Sequence, residues 1–200
     1  MMALAVITAC TRGDAPSTDS ARATNAGPDS SESAAVPAIE PRQDSSQPAA
    51  APREWKVNPR GIGPIAAGMT LNQANAATGN TLVLRPAMEE CDFIRLRDWP
   101  DGPLIMVERG TISRIDIVRT SPITTEAGAK IGDTEARIEA LYPGRVQVQP
   151  HKYTDGRYLV VTPSGTGEQA YRIVFETDGS KVLRYRSGRM PAVQYVEGCS

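Results

Sequence analysis

The spacing of hydrophobic and polar residues changes in a regular order from Gly61 onward. One helical pattern runs from Thr70 to about Thr78, and a second runs from the Asp133/Thr134 pair to about Tyr142. Each pattern begins with a side chain that can accept hydrogen bonds from the first turn, and each is followed within two residues by glycine. These signals predict two short helices, each with one apolar face.

Alternating apolar and polar residues follow each helical pattern. Ile173 and Phe175, for example, are flanked by Arg172 and Glu176. Alternation of this kind predicts antiparallel strands with one face against the helices and the other face in water. The predicted strands are Phe93–Arg97, Leu104–Glu108, Thr111–Val118, Tyr158–Thr162, Tyr171–Thr177, Lys181–Ser187 and Ala192–Val196.

A turn dipeptide separates two strands in each half of this region. Arg109-Gly110 and Asp178-Gly179 both lie between alternating runs, which is typical of a hairpin with a two-residue turn and positive φ angles. Each half therefore combines a helix with an antiparallel meander, and the fold class predicted is α+β. The sequence predicts two tandem repeats, at about 61–120 and 125–198, within one domain of residues 54–200.

A segment of different composition precedes this domain. Residues 11–53 contain no aromatic residue, and Val36 and Ile39 are their only large apolar residues. Such a segment cannot bury enough apolar surface to offset the entropy lost on ordering. Residues 10–53 are therefore predicted to be a disordered tether.

The tether begins at a cysteine that follows an apolar start. Ile7-Thr8-Ala9-Cys10 is typical of the lipobox of bacterial lipoproteins, in which the cysteine receives acyl chains such as palmitate. Residues 1–9 are predicted to be the remnant of a signal peptide whose basic start lies upstream. Thr11 replaces the Asp that marks inner-membrane retention in enterobacterial lipoproteins, which favours the periplasmic face of the outer membrane. An ordinary apolar start with a free or buried thiol is the alternative.

Two cysteines remain if Cys10 is lipidated. The oxidising periplasm would favour a disulfide between Cys91 and Cys199, with two buried free thiols as the alternative. Neither cysteine has a CxxC partner or a flanking histidine. The sequence therefore predicts neither a metal site nor a redox role for them.

Charge and chemistry-bearing residues narrow the function classes. The chain has 22 Lys and Arg against 23 Asp and Glu, which removes the electrostatic case for nucleic-acid binding. His151 is the only histidine, and it lacks the partners of a catalytic triad or a histidine-rich metal site. Glu89-Glu90-Cys91-Asp92 is interpreted as a solvated loop, with cation binding as the alternative, and Gly61-Ile62-Gly63 lacks the context of a phosphate loop. No enzyme activity and no cofactor are predicted.

Aromatic and basic residues are the candidates for binding, because tyrosine and arginine are enriched at protein interfaces. In strand Lys181–Ser187, Arg184 and Arg186 are expected to share the wet face, while Tyr185 points toward the helices. The alternative is that the tyrosines fill the core and that the arginines keep an exposed sheet face soluble. The candidate binding residues are Arg172, Arg184, Arg186 and Tyr153, and the other aromatic or basic residues beside strands are Trp55, Trp99, Tyr158, Tyr171, Tyr195, Lys181 and Arg189.

The repeated order of motifs resembles a known superfamily. Ile65-Ala66-Ala67-Gly68-Met69-Thr70 and Ala129-Lys130-Ile131-Gly132-Asp133-Thr134 carry a likeness to the proteins that include the outer-membrane assembly lipoprotein BamE (SmpA/OmlA) and β-lactamase inhibitory protein. BamE has one unit where this chain has two, and the inhibitor has no lipid anchor. The resemblance implies a non-catalytic module that binds a periplasmic or outer-membrane protein through a concave sheet face. A module that binds glycan, in peptidoglycan or lipopolysaccharide, is the rival interpretation.

Overall fold

The structure, a computed structural model, describes residues 54–84, 90–118 and 121–199. The predicted signal-peptide remnant, the lipobox with Cys10 and the tether lie outside these residues, as does Glu89. No helix in the described part of the chain is long and apolar enough to cross a membrane.

The described residues form two helices and two antiparallel sheets, as the predicted mixture of helices and antiparallel strands requires. The small sheet has the order β1-β2-β3, formed by Val57–Asn58, Gly61–Ile62 and Ile65–Ala66. The helices are α1 (Leu71–Ala77) and α2 (Glu135–Leu141). The large sheet contains β4 (Cys91–Ile94), β5 (Leu104–Glu108), β6 (Thr111–Ile117), β7 (Val146–Pro150), β8 (Arg157–Val161), β9 (Tyr171–Thr177) and β10 (Val182–Arg189), in the order β4-β5-β6-β10-β9-β8-β7.

Each helix begins at a threonine that caps it, as predicted. Thr70 Oγ1 accepts a hydrogen bond from the Gln73 N–H at 3.3 Å, and the Gln73 side chain accepts from the Thr70 N–H at 2.9 Å. Thr134 Oγ1 accepts from the Arg137 N–H at 3.2 Å. Such caps stabilise a helix by about 1 kcal/mol each, which matters for helices of only seven residues.

The two predicted hairpins have different turns. Arg109 and Gly110 have φ angles of 45° and 74°, which confirms a two-residue turn between β5 and β6. The connection between β9 and β10 is longer than predicted and covers residues 178–181. It is longer because the Asp178 carboxylate accepts hydrogen bonds from the N–H groups of Ser180 and Lys181 and so holds a wider loop.

One face of the large sheet carries the hydrophobic core. Both helices and the small sheet cover this face, and they contribute Ala74, Ile138 and Ile62, all fully buried. Tyr185 points into the core from β10, as predicted, and its O–H donates to the Ile123 carbonyl at 2.7 Å. The sheet itself supplies Ile94, Ile105, Ile115, Ile117, Leu159, Ile173 and Phe175.

The opposite face is covered by the end of the chain over part of its area. After β10 the chain forms a 3₁₀ helix at Ala192–Gln194 and continues to Cys199. We call residues 190–199 the C-terminal strap. Val193 in the strap is completely buried and packs in one cluster with Tyr158, Val160 and Val174 of the sheet.

The predicted last strand at Ala192–Val196 is therefore wrong. The N–H groups of Gln194 and Tyr195 donate to the Pro191 and Ala192 carbonyls at 2.9 and 3.1 Å, which closes a 3₁₀ turn instead of a strand pairing. The strap carbonyls also bond to arginine side chains of the sheet: Arg114 Nη1 donates to the carbonyls of Ala192 and Tyr195 at 3.1 and 2.8 Å. With its carbonyls bonded in this way, the strap lies over the sheet face instead of extending the sheet.

A disulfide fastens the end of the strap to strand β4. Cys91 and Cys199 are bonded, with their Cα atoms 5.3 Å apart, which confirms the predicted pair. Because 108 positions separate the two cysteines, the bond closes most of the folded part of the chain into one loop.

Two parts of the fold were not predicted. Strand β7 has the sequence VQVQP and lies at the edge of the large sheet, where Val148 remains half exposed. Its Val-Gln alternation covers only four residues before Pro150, and proline is uncommon inside strands. Strands β1, β2 and β3 have two residues each, too few for alternation to appear in the sequence.

Candidate functional site

A layer of charged side chains lies between the large sheet and the strap. Arg186 on β10 pairs with Asp116 on β6, and Arg184 pairs with Glu176 on β9. Because paired residues of antiparallel strands project to the same side, the register places these four side chains on the face opposite the core.

Glu176 lies at the centre of this layer, with only 6% of its side chain exposed. Its carboxylate accepts from Arg184 Nη2 at 2.6 Å and faces Arg186 Nη1 at 3.3 Å. His151 Nε2 lies 3.1 Å from Oε1 of the same carboxylate, the oxygen that also accepts from Arg184, whereas Arg186 faces Oε2. Burial alone would raise the pKa of Glu176, but the hydrogen bonds from Arg184 and His151 outweigh that effect and lower it.

His151 uses both ring nitrogens in hydrogen bonds. Nδ1 accepts from the N–H groups of Tyr153 and Thr154 at 3.1 and 3.2 Å, so the neutral ring carries its proton on Nε2 and donates it to Glu176. The ring also stacks on Tyr158 with centroids 4.6 Å apart. His151 directly follows strand β7 and is held in place there by these contacts.

The arginines of the layer hold the strap by its main chain. Arg186 Nε donates to the Val193 carbonyl at 2.7 Å, next to the bonds that Arg114 makes to Ala192 and Tyr195. Arg114 Nε also donates to Asp116 at 2.8 Å. Burial raises the pKa of Asp116 in spite of the neighbouring arginines. The strap is thus bound as a peptide would be, through its carbonyls and through Val193.

The structure changes the expected role of Arg186. The sequence predicts Arg184 and Arg186 together on a wet face, and they do share one face. Arg186 is nevertheless buried, with 4% of the residue exposed, because the strap lies over it. Half of the Arg184 side chain is exposed at 48%, so Arg184 is available to a ligand and Arg186 is not.

The other two candidate binding residues differ in their positions. Tyr153 is 58% exposed and its O–H contacts Glu197 of the strap, which brings Tyr153 to the rim of the charged layer. Arg172 Nη1 donates to the carbonyls of Gln169 and Tyr171, both at 2.6 Å, and so does not join Glu176. The site therefore unites Arg184, Arg186 and Tyr153 but not Arg172.

The remaining aromatic and basic candidates divide between core and surface. Tyr195 of the strap is 40% exposed, and Tyr171 is partly buried. Lys181 and Arg189 are exposed. Trp55, Trp99, Tyr158 and Tyr185 are buried.

Sequence reasoning missed three members of the layer: Arg114, Asp116 and Glu176. The signal that could have found Arg114 is its position in β6 between the core residues Ile112 and Ile115. A charged residue at that position indicates that one face of β6 is polar. The neighbouring sequence contains no sign that the strap will cover that face. Within the part of the chain that the structure describes, no cluster of His, Cys, Asp and Glu could hold a metal ion.

Comparison of the chain with protein-family models, with curated proteins and with solved structures finds no match. The geometry of the strap-bearing face must therefore carry the functional assignment.

Replacing Arg186 should be far more costly than replacing Arg184. Arg186→Met removes the bond to the Val193 carbonyl and the contact with Glu176 in a buried setting, which we expect to lower the free energy of unfolding by about 3–5 kcal/mol. Arg184→Met should cost about 1 kcal/mol or less because the side chain is half in water. Denaturant unfolding measures both, and equal losses would contradict the account of the charged layer.

Glu176 should stabilise the fold in a pH-dependent way. Its pKa is lowered from the ordinary value of 4.5 for a glutamate side chain, so its charged form favours the folded state above that value, and this stabilisation is lost as the pH falls through the lower folded pKa. Arg184, Arg186 and His151 face the carboxylate and remain in the variant Glu176→Gln. The stability difference between wild type and Glu176→Gln, measured by denaturant unfolding, should shrink below pH 4.5; a difference that grows there would refute the assignment.

Proposed function

We propose that this chain is a lipid-anchored protein of the bacterial envelope whose domain binds another protein through the strap-bearing face. The proposal rests on the residues that are exposed around the strap, at the rim of that face. Tyr153, Tyr195 and Arg184 are exposed there, beside the buried charges that fix their surroundings. Exposed tyrosine and arginine on a rigid support are the usual anchors of protein interfaces.

The proposed location rests on two independent features. Ile7-Thr8-Ala9-Cys10 has the pattern of a lipobox, and lipid on Cys10 would anchor the chain at the periplasmic face of the outer membrane. The disulfide between Cys91 and Cys199 supports an oxidising compartment such as the periplasm. A role in envelope assembly or in inhibition of another protein fits this location.

A two-repeat construction is part of the proposal. Just before α1, the Gly68 N–H donates to the Ile112 carbonyl and the Ile112 N–H donates to the Met69 carbonyl. Just before α2, Gly132 makes the same bond to Val182, whose N–H donates to the Asp133 carbonyl. Both glycines have positive φ angles, 99° and 88°. The shared pattern supports tandem units of the BamE and inhibitor kind.

Glycan binding is the weaker function for this face. Sugar-binding sites present exposed aromatic rings, whereas Trp55, Trp99 and Tyr158 are buried. Of the aromatic residues named above, Tyr153 and Tyr195 are exposed enough to stack on a sugar. The charged side chains around these two tyrosines resemble the surroundings of a protein interface more than those of a sugar-binding site.

The anchor is tested by replacing the predicted lipid acceptor. Cys10→Ala in the full-length protein, expressed with its native upstream region, should move the protein from the membrane fraction to the soluble periplasmic fraction. The measurement is fractionation together with intact mass, and the wild type should carry the mass of acyl chains. A variant that still sediments with membranes, beside a wild type without acyl mass, would refute lipid anchoring.

The binding face is tested by cross-linking in cells. A photoreactive phenylalanine analogue at Tyr153 or Tyr195 should form cross-links to one specific protein. The same analogue at Arg137, which is exposed on α2 across the sheet, is the matched control and should not form them. Equal cross-linking from Arg137, or cross-links to glycan from Tyr153, would overturn protein binding through this face.

A further inference from the structure

The strap leaves one end of the strap-bearing face uncovered, and a groove lies at that end. It is lined by Arg95, Leu104, Val118, Leu183 and Arg184 and has a volume of about 500 Å³. Ile94 pairs with Ile105 and Tyr185 pairs with Ile117, so the register places Arg95 beside Leu104 and Val118 beside Arg184. The groove therefore crosses four neighbouring strands, from the end of β4 to β10.

The floor of the groove is apolar and exposed. Leu183 lies at the irregularity in β10 between Val182 and Arg184, and it is 50% exposed. Leu104 and Val118 are partly buried beside it. Together these three side chains form a small apolar floor that an apolar side chain of a partner would cover.

Both ends of the groove carry a guanidinium group. Arg95 is exposed and donates through Nη1 to the Pro100 carbonyl at 3.3 Å. Arg184 uses Nη2 for Glu176, and a guanidinium has five N–H donors, so a second acceptor can be bound. With about 4.8 Å between neighbouring strands and an offset of two residues along β10, the Cα atoms of the two arginines stand roughly 16 Å apart.

The acidic groups near the groove are already engaged. Asp116 lies between Leu104 and Arg186 in the register, but its carboxylate accepts from Arg114 at 2.8 Å and its side chain is 13% exposed. Glu176 is buried among its three partners. The exposed charges of the groove are therefore positive, and they complement an anionic ligand.

We propose that this groove binds an acidic, extended segment of a partner protein, with an apolar residue between two carboxylates about four residues apart. An extended chain rises roughly 3.3 Å per residue, so carboxylates four residues apart span about 13 Å, and the long side chains of Arg95 and Arg184 cover the remaining distance. The apolar residue in the middle covers Leu183. The proposal rests on the protein-binding function and specifies the chemistry of the partner.

The test uses a synthetic peptide and the full-length chain carrying Cys10→Ala, which keeps it free of lipid. The probe is an acetylated, amidated pentapeptide of glutamate, alanine, leucine, alanine and glutamate, titrated into ¹⁵N-labelled protein and followed by amide chemical shifts. We expect shifts around Arg95, Leu104, Val118 and Arg184, and weaker binding as salt rises. A peptide with glutamine in place of both glutamates is the control and should not bind.

Single substitutions test whether the peptide binds in the groove or elsewhere on the strap-bearing face. Arg95→Gln and Arg184→Gln should each weaken binding about threefold to fivefold, as expected for exposed ion pairs. Arg95 lies outside the charged layer, so Arg95→Gln keeps the test valid if Arg184→Gln loses stability. Arg137→Gln on α2 is the matched control and should leave binding unchanged.

Three results would overturn the groove assignment: equal binding of the glutamine peptide, unchanged binding by Arg95→Gln, or chemical shifts located elsewhere. If any of these occurs while Tyr153 still forms cross-links to a protein in cells, the groove proposal fails and the protein-binding function stands. If Tyr153 forms no such cross-links, the protein-binding function fails, whatever the peptide does.

Discussion

The contact on which this structure depends joins a buried carboxylate to two arginines, one of which holds the end of the chain. Glu176 binds Arg184 and Arg186, and Arg186 in turn donates to the Val193 carbonyl of the strap. Charges that leave water must find partners, and here Glu176 on β9 finds them on β10, while Arg186 of β10 also binds the strap. The sheet face and the strap are therefore stabilised together.

This constraint also decides what the face can present to a ligand. Because Val193 and the strap carbonyls occupy the middle of the face, the sheet residues of this face are exposed at the rim and at the uncovered groove. The rim carries Tyr153 and Tyr195, and the groove carries Arg95 and Arg184. The disulfide at Cys199 ties the strap to β4, so the shape of this surface is set before any partner arrives.

Local signals made part of the fold predictable. Thr70 and Thr134 cap helices through contacts three residues away, and β5 and β9 are short apolar-rich runs that end just before the turn dipeptides Arg109-Gly110 and Asp178-Gly179, so both kinds of element could be read from short stretches. The strap could not, because Arg114 and the Ala192 carbonyl are 78 positions apart. The alternation of side chains along a strand predicted that Arg184 and Arg186 share one face. It contains no information about which part of the chain lies over Arg186.

The most direct test of this account is the rigidity of the strap in solution. If arginine bonds to its carbonyls hold it on the sheet, backbone ¹⁵N order parameters of Val193 and Tyr195 should be about 0.85, as in the strands, and should fall in Arg186→Met. Order parameters below about 0.6 in the wild-type protein would contradict the account. The strap would then be a mobile tail, and the face beneath it would be open to water.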